Sequence, residues 1–179
     1  MAEEMKEKWL NYLAITTVVF AVCATLSTFK GGGYSTKSLL SQSNASDQWA
    51  FYQSKSIKSY LCDIQRENLE LAMNSALAAN PGADIKAYRG KIDAYKQKTD
   101  TYENEKKEIK AKATEFEALR DEARLHSQAF GMAVIFLQVS ILLSSITALT
   151  KKKPMWYLGI LTGIMGIFYF INGFLLFVQ

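Results

Sequence analysis

The sequence predicts an all-α membrane protein: three transmembrane helices, with a long antiparallel, coiled-coil-like helical hairpin between the first and the second. Three observations carry this expectation. Residues 9–29, 127–150 and 154–179 contain no Asp, Glu, Lys or Arg. Their apolar cores run to about 20 residues or more, which at ~1.5 Å of rise per residue crosses the ~30 Å hydrocarbon layer of a bilayer. Between residues 85 and 130 a seven-residue beat is legible, through Tyr88, Tyr95, Tyr102, Ile109, Phe116, Ala123 and Phe130. Ile85, Ile92, Thr99, Lys106, Ala113 and Arg120 keep the same beat three residues earlier, the a/d signature of a helix packed lengthwise on a partner. Lastly, Asn80-Pro81-Gly82 separates two arms of nearly equal length, and a short turn between long helices favours antiparallel neighbours.

In order, residues 1–8 read as a polar tail that mixes Glu3, Glu4 and Glu7 with Lys6 and Lys8. That is unlike the basic start of a secretory signal, so residues 9–29 are expected to remain as an uncleaved first transmembrane helix. Gly31, Gly32 and Gly33 follow; three glycines cost a helix roughly 1 kcal/mol apiece, so residues 30–34 are expected to form a break or hinge at the membrane surface. Residues 35–129 form the extramembrane hairpin, with its tip at 80–83 and Asp84 placed to cap the returning helix. On the first arm Ala50, Ile57, Ile64, Leu71 and Ala78 recur every seven residues and are expected to face the tyrosine stripe. Folding the chain about the tip brings Ile64 near Thr99 and Tyr102, and Trp49 near Ala113 and Phe116. Residues 130–150 form the second transmembrane helix, 151–154 a basic turn, and 155–178 the third transmembrane helix.

Gln138, the most polar residue of the second apolar stretch, is read as a contact between helices, while Thr16, Gln138, Ser145 and Asn172 are the residues that would line a pore if several copies formed a passive channel. Gly159, Gly163 and Gly166 give the third helix a small-residue face, a feature that permits close approach of another helix. Trp49, Phe51 and Tyr52 cannot all face one neighbour, because successive helical residues turn by ~100°. These six residues are the candidate contacts for a partner or a second copy.

The chemistry excluded is as informative. Residues 30–129 hold 16 basic and 14 acidic side chains, a balance that gives no footprint for nucleic acid. Cys23 and Cys62 make no disulfide framework, and His126 is the one histidine. No catalytic constellation, metal-ligand set or cofactor motif is present, so a non-enzymatic role is expected.

Residues 45–58, Ala-Ser-Asp-Gln-Trp-Ala-Phe-Tyr-Gln-Ser-Lys-Ser-Ile-Lys, resemble a bacterial membrane-protein family catalogued only as a domain of unknown function. The opening at Trp9-Leu10-Asn11-Tyr12-Leu13 and the lead-in Leu39-Leu40-Ser41-Gln42 are similar as well. The resemblance implies a bacterial inner-membrane protein with a helical middle region, and it brings no activity.

Function is therefore expected to be that of an integral membrane scaffold, in contact with the lipid bilayer and homo-oligomeric, whose hairpin serves self-assembly or binds an unidentified membrane or envelope protein. A passive channel, or an accessory subunit of a membrane transport or respiratory complex, is the alternative. Lys151, Lys152 and Lys153 in a short loop place that turn and the N-terminus in the cytoplasm and the hairpin in the periplasm.

Overall fold

The computed structural model describes residues 2–178, with side chains from Trp9 onward. It contains three helices: α1 (Ala2–Ala79), α2 (Lys86–Thr150) and α3 (Lys153–Leu175), with no strand among the described residues. The charges expected of the 1–8 tail lie outside the described side chains. Each helix contains a stretch long and apolar enough to cross a membrane. By its contacts the chain divides into two units, a helix bundle from residues 1–40 and 119–179 and a hairpin from residues 41–118.

One expectation fails at once. The glycines at 31–33 do not break α1, which is helical throughout, and no glycine among the described residues adopts a positive φ. The reason is packing. A methyl group on Gly31 would stand 3.0 Å from Phe130 Cβ, and Ser127 Oγ donates to Gly31 O at 3.1 Å. Gly31 thus lets α1 approach α2 closely, and that contact offsets the local propensity cost. Gly32 and Gly33 face open space on the same helix.

The bundle packs small residues against large ones. Leu13, Phe20, Ala24 and Ser27 of α1 are buried, as are Phe130, Ala133, Leu137, Ser140 and Ser144 of α2. Phe20, Ala24 and Leu137 form a core with Cys23, Ile141 and Ile167 against it. The outer faces are apolar as well: Val18, Val22, Ile135, Leu142, Leu161 and Ile164 are exposed. Between α2 and α3 the chain turns tightly, with Lys151 at φ 56° and its N–H donating to Thr147 O at 2.8 Å. Lys152 precedes α3, and Pro154 sits in its first turn, where its missing N–H costs nothing.

In the hairpin unit the tip forms as expected. Asn80 Oδ1 accepts from Gly82 N–H at 3.1 Å, and Asp84 Oδ1 accepts from Lys86 N–H at 3.0 Å, the side-chain capping that an Asp before a helix supplies. The register also matches: Asp63 meets Thr99, Ser59 meets Glu103, and Trp49 meets Glu117.

The face of the first arm does not match. Tyr88, Ile92, Tyr95, Tyr102, Ile109 and Phe116 are half-buried and Ala113 is fully buried, so the tyrosine stripe of α2 lines the seam. Ile57, Ile64 and Leu71, expected opposite them, are 60%, 52% and 65% exposed. The seam face of α1 instead carries Ala45, Tyr52, Ser59 and Arg66 on one beat and Trp49, Ser56 and Asp63 on another, all buried or half-buried. Polar partners on α2 select this face: Glu117 for Trp49, Glu103 for Ser59 and Thr99 for Asp63.

Candidate functional site

The hairpin seam is built from polar pairs wedged between rings. Trp49 Nε1 donates to Glu117 Oε1 at 2.9 Å, and the indole meets Tyr52 edge-on at 5.6 Å between centroids. Lys55 pairs with Glu105 at 2.6 Å, with its Nζ 5.3 Å from the Tyr102 ring centre. Ser59 Oγ donates to Glu103 Oε1 at 2.9 Å, and Lys106 Nζ reaches the same oxygen at 2.7 Å. Lys106 also stands 5.5 Å from the centre of the Tyr52 ring. Further out, Thr99 Oγ1 donates to Asp63 Oδ1 at 3.3 Å.

Lys106 is a charged residue on the heptad beat of α2, and its neighbours in the seam hold it there. Its amine stands over the Tyr52 ring and bonds Glu103, an arrangement in which a cation gains from a ring face and a carboxylate together. The hydrogen bond from Lys106, followed by that from Ser59, holds the Glu103 carboxyl below the usual carboxylate range. The reciprocal bond to Glu103 raises Lys106 above the ordinary lysine value. At the bundle end of α2, the hydrogen bond from Arg120 likewise lowers Asp121.

The Trp49-Phe51-Tyr52 cluster is divided between two faces. Trp49 and Tyr52 are absorbed by the seam, whereas Phe51 points outward and is exposed. With Phe51 stands the apolar row Ile57, Leu61, Ile64 and Leu71, on the side of α1 turned away from α2. This outer row is the one large apolar face that the hairpin unit itself leaves uncovered among the described residues.

The glycine face of α3 has a different fate from the one expected. Gly159, Gly163, Gly166 and Gly173 are buried within the chain's own bundle, which leaves them no surface for a second copy. A Cβ on Gly163 would run into the Phe20 ring. One on Gly166 would lie 2.7 Å from Leu137 Cγ and 3.0 Å from its backbone nitrogen, and one on Gly173 2.7 Å from the Phe130 ring. Ser140 Oγ donates to Gly159 O at 2.5 Å, across the same α2–α3 contact. Small residues here admit large ones from neighbouring helices of the same chain.

Asn172 is likewise a local device. Its Nδ2 donates to Val178 O and its Oδ1 accepts from Val178 N–H, both at 2.9 Å, while its carbonyl accepts from Leu176 N–H. It thereby closes the C-terminus of α3 at Leu175, three residues before the expected end. Gln138 lies on the exposed side of α2. Thr16 and Ser145 each donate to a carbonyl of their own helix. Among the described residues no three His, Cys, Asp or Glu side chains gather in a group able to hold a metal ion, and Cys23 and Cys62 are both free thiols.

The sequence profile of a family described as a domain of unknown function, DUF4337, matches residues 9–176. The chain belongs to DUF4337. The matched range takes in both the bundle and the hairpin. No curated protein and no solved structure matches it.

One arrangement in this DUF4337 chain has no sequence signal strong enough to announce it. His126 stacks on Tyr34 at 4.3 Å and 15°, and its Nδ1 lies 2.8 Å from Gly173 O. Because a carbonyl can only accept, Nδ1 carries the proton. The imidazole therefore ties α1, α2 and the end of α3 together. His126 falls on the stripe of α2 with Phe116, Ala123 and Phe130, and Tyr34 keeps the beat of Leu13, Phe20 and Ser27. Periodicity identifies each as inward-facing, but only the folded bundle makes them neighbours.

Proposed function

We propose that this DUF4337 protein is a non-enzymatic integral membrane scaffold: its three-helix bundle sits in a bilayer and its hairpin is presented for assembly. The observation that carries this reading is the distribution of apolar surface on the bundle. Glycines, serines and rings fill the inside, while Val18, Val22, Ile135, Leu142, Leu161 and Ile164 face outward. A bundle in water would expose all of these, whereas hydrocarbon covers such a surface and leaves the small residues to hold the helices together. The charged hairpin, with its ion pairs, belongs outside the hydrocarbon layer.

In this reading the membrane is the bacterial inner membrane, with the 151–153 turn in the cytoplasm and the hairpin in the periplasm. Single cysteines at Lys91 and Lys152, introduced after removal of Cys23 and Cys62, test it. Lys91→Cys is expected to react with an impermeant maleimide in cells whose outer membrane is permeabilised, and Lys152→Cys only after the inner membrane is opened. Equal labelling of both from one side would overturn the three-crossing arrangement, and the reverse pattern would invert the orientation. The protein is expected to stay in the membrane pellet through alkaline carbonate washing; release into the supernatant would end the membrane reading.

A further inference from the structure

We infer that the outer face of the first hairpin arm is a self-assembly seam that pairs with the same face of a second copy, the two arms running parallel. This rests on the membrane reading above, since two copies in one bilayer present their arms in the same direction. It departs from the expectation that α3 glycines mediate assembly, because those glycines are spent inside the chain.

Four observations support it. First, the face is a heptad seam in its own right. Ala50, Ile57, Ile64, Leu71 and Ala78 stand at one position of the repeat, and Ser54, Leu61, Asn68 and Ser75 at the position four residues later. None of these carries a charge, although Lys58, Arg66, Glu67 and Glu70 stand between them. A stripe sustained over four repeats specifies a helical partner of the same period, and α2 already occupies the opposite side of this helix. The second copy supplies that period by construction.

Second, Asn68 lies inside the stripe. A single Asn at such a position meets its counterpart across a two-fold axis and sets register at some cost in stability. Third, in a parallel pair the flanking positions bring Gln53 toward Lys58 of the second copy, Tyr60 toward Gln65 and Glu67 toward Ala72, so no like charges meet. Fourth, the area is sufficient. Phe51, Ile57, Tyr60, Leu61, Ile64 and Leu71 are all more than half exposed. At roughly 100 Å² each they offer about 600 Å² per copy and about 1,200 Å² for a pair, the lower bound for a specific interface.

The test uses the full-length chain in native membranes, with Cys23→Ala and Cys62→Ala as background. Ile57→Cys, Ile64→Cys and Leu71→Cys are each introduced singly and oxidised, with Asp93→Cys on the outer side of the other arm as control. All three stripe positions are expected to give a disulfide-linked dimer at least tenfold above the control. Cross-linking at only one of them would indicate crossed or antiparallel arms and overturn the parallel seam. A second variant, Leu61→Glu with Ile64→Glu, is expected to halve the mass of the detergent-solubilised particle by light scattering while leaving its helical circular dichroism unchanged.

If the wild-type particle is multimeric but the stripe positions do not cross-link, assembly uses another surface; the inference falls and the scaffold reading stands. If the wild-type chain is a monomer in membranes and detergent, the inference falls. If carbonate extracts it as well, the membrane reading falls with it. Cross-linking of the stripe solely to a different polypeptide, or its burial against liposomes without self-linking, also overturns the inference.

Discussion

The bundle and the hairpin solve the packing problem in opposite ways. In the bundle, shape dominates: Gly163 accepts the Phe20 ring, Gly166 the Leu137 side chain and Gly173 the Phe130 ring, while Thr17, Ser27 and Thr147 bond to carbonyls of their own helices. In the hairpin, specific polar pairs dominate: Trp49 with Glu117, Ser59 and Lys106 with Glu103, and Asp63 with Thr99, while the more apolar row of the first arm faces out. The difference teaches that burial follows what a neighbour offers and not hydrophobicity alone. Where glycine opens a cleft, a ring fills it; where two charged arms run side by side, matched donors and acceptors choose the face.

The contrast can be broken most severely in the bundle. Gly166→Val places methyl groups against the Leu137 backbone as well as its side chain, so relief by a rotamer change is blocked. A loss of about 3 kcal/mol or more is expected, read as collapse of the folded peak in fluorescence-detected size exclusion. A near-normal melting profile would mean that shape does not govern this unit. In the hairpin, Trp49→Ala removes a half-buried indole and leaves Glu117 without its donor. About 2 kcal/mol is expected from thermal melting, of which Trp49→Phe should recover roughly half by restoring the ring without the hydrogen bond.

A matched pair of substitutions sharpens the comparison between the two arms. In the dissociated chain at high dilution, Ile109→Ser is expected to cost about 1–2 kcal/mol, and Ile64→Ser no more than about 0.5 kcal/mol. Equal costs would show that both heptads are buried within one chain. The smallest effect concerns pH. Glu103 titrates lower folded than unfolded, so its contribution is present above the ordinary carboxylate range and is lost as pH falls through its lowered value. Lys106 is raised, so its contribution is present below the ordinary lysine range and is lost as pH rises through its raised value. The pair therefore supports the hairpin across the whole neutral range. Wild type is expected to lose a small increment of melting temperature on acidification that Glu103→Gln lacks, seen as a shallower pH profile for the variant.

Much of this molecule is legible without coordinates. Charge-free runs of sufficient length, the tyrosine beat from Tyr88 to Phe116, the Asn80-Pro81-Gly82 tip and the Asp84 cap are all local signals, and local geometry decides them. Equal arm lengths also predict the register, because a hairpin with a short tip aligns residues by their distance from it. What misleads is any property that depends on a neighbour. Gly31 reads as a hinge from propensity, yet Phe130 makes it a point of close approach. Ile57, Ile64 and Leu71 read as the inner seam from hydropathy, yet the face with Trp49, Tyr52 and Ser59 finds the better partners.

The sequence by itself therefore determined the helical character, the tip between the two arms, the apolar segments and the pairing register, since each follows from backbone propensity, capping, periodicity and distance from the tip. Only the tertiary structure decided which of two competing heptads on the first arm lies inside, and whether glycines flex or pack. Helix faces differ by rotation about one axis, and that rotation is chosen by side chains far away in sequence, on α2 and α3.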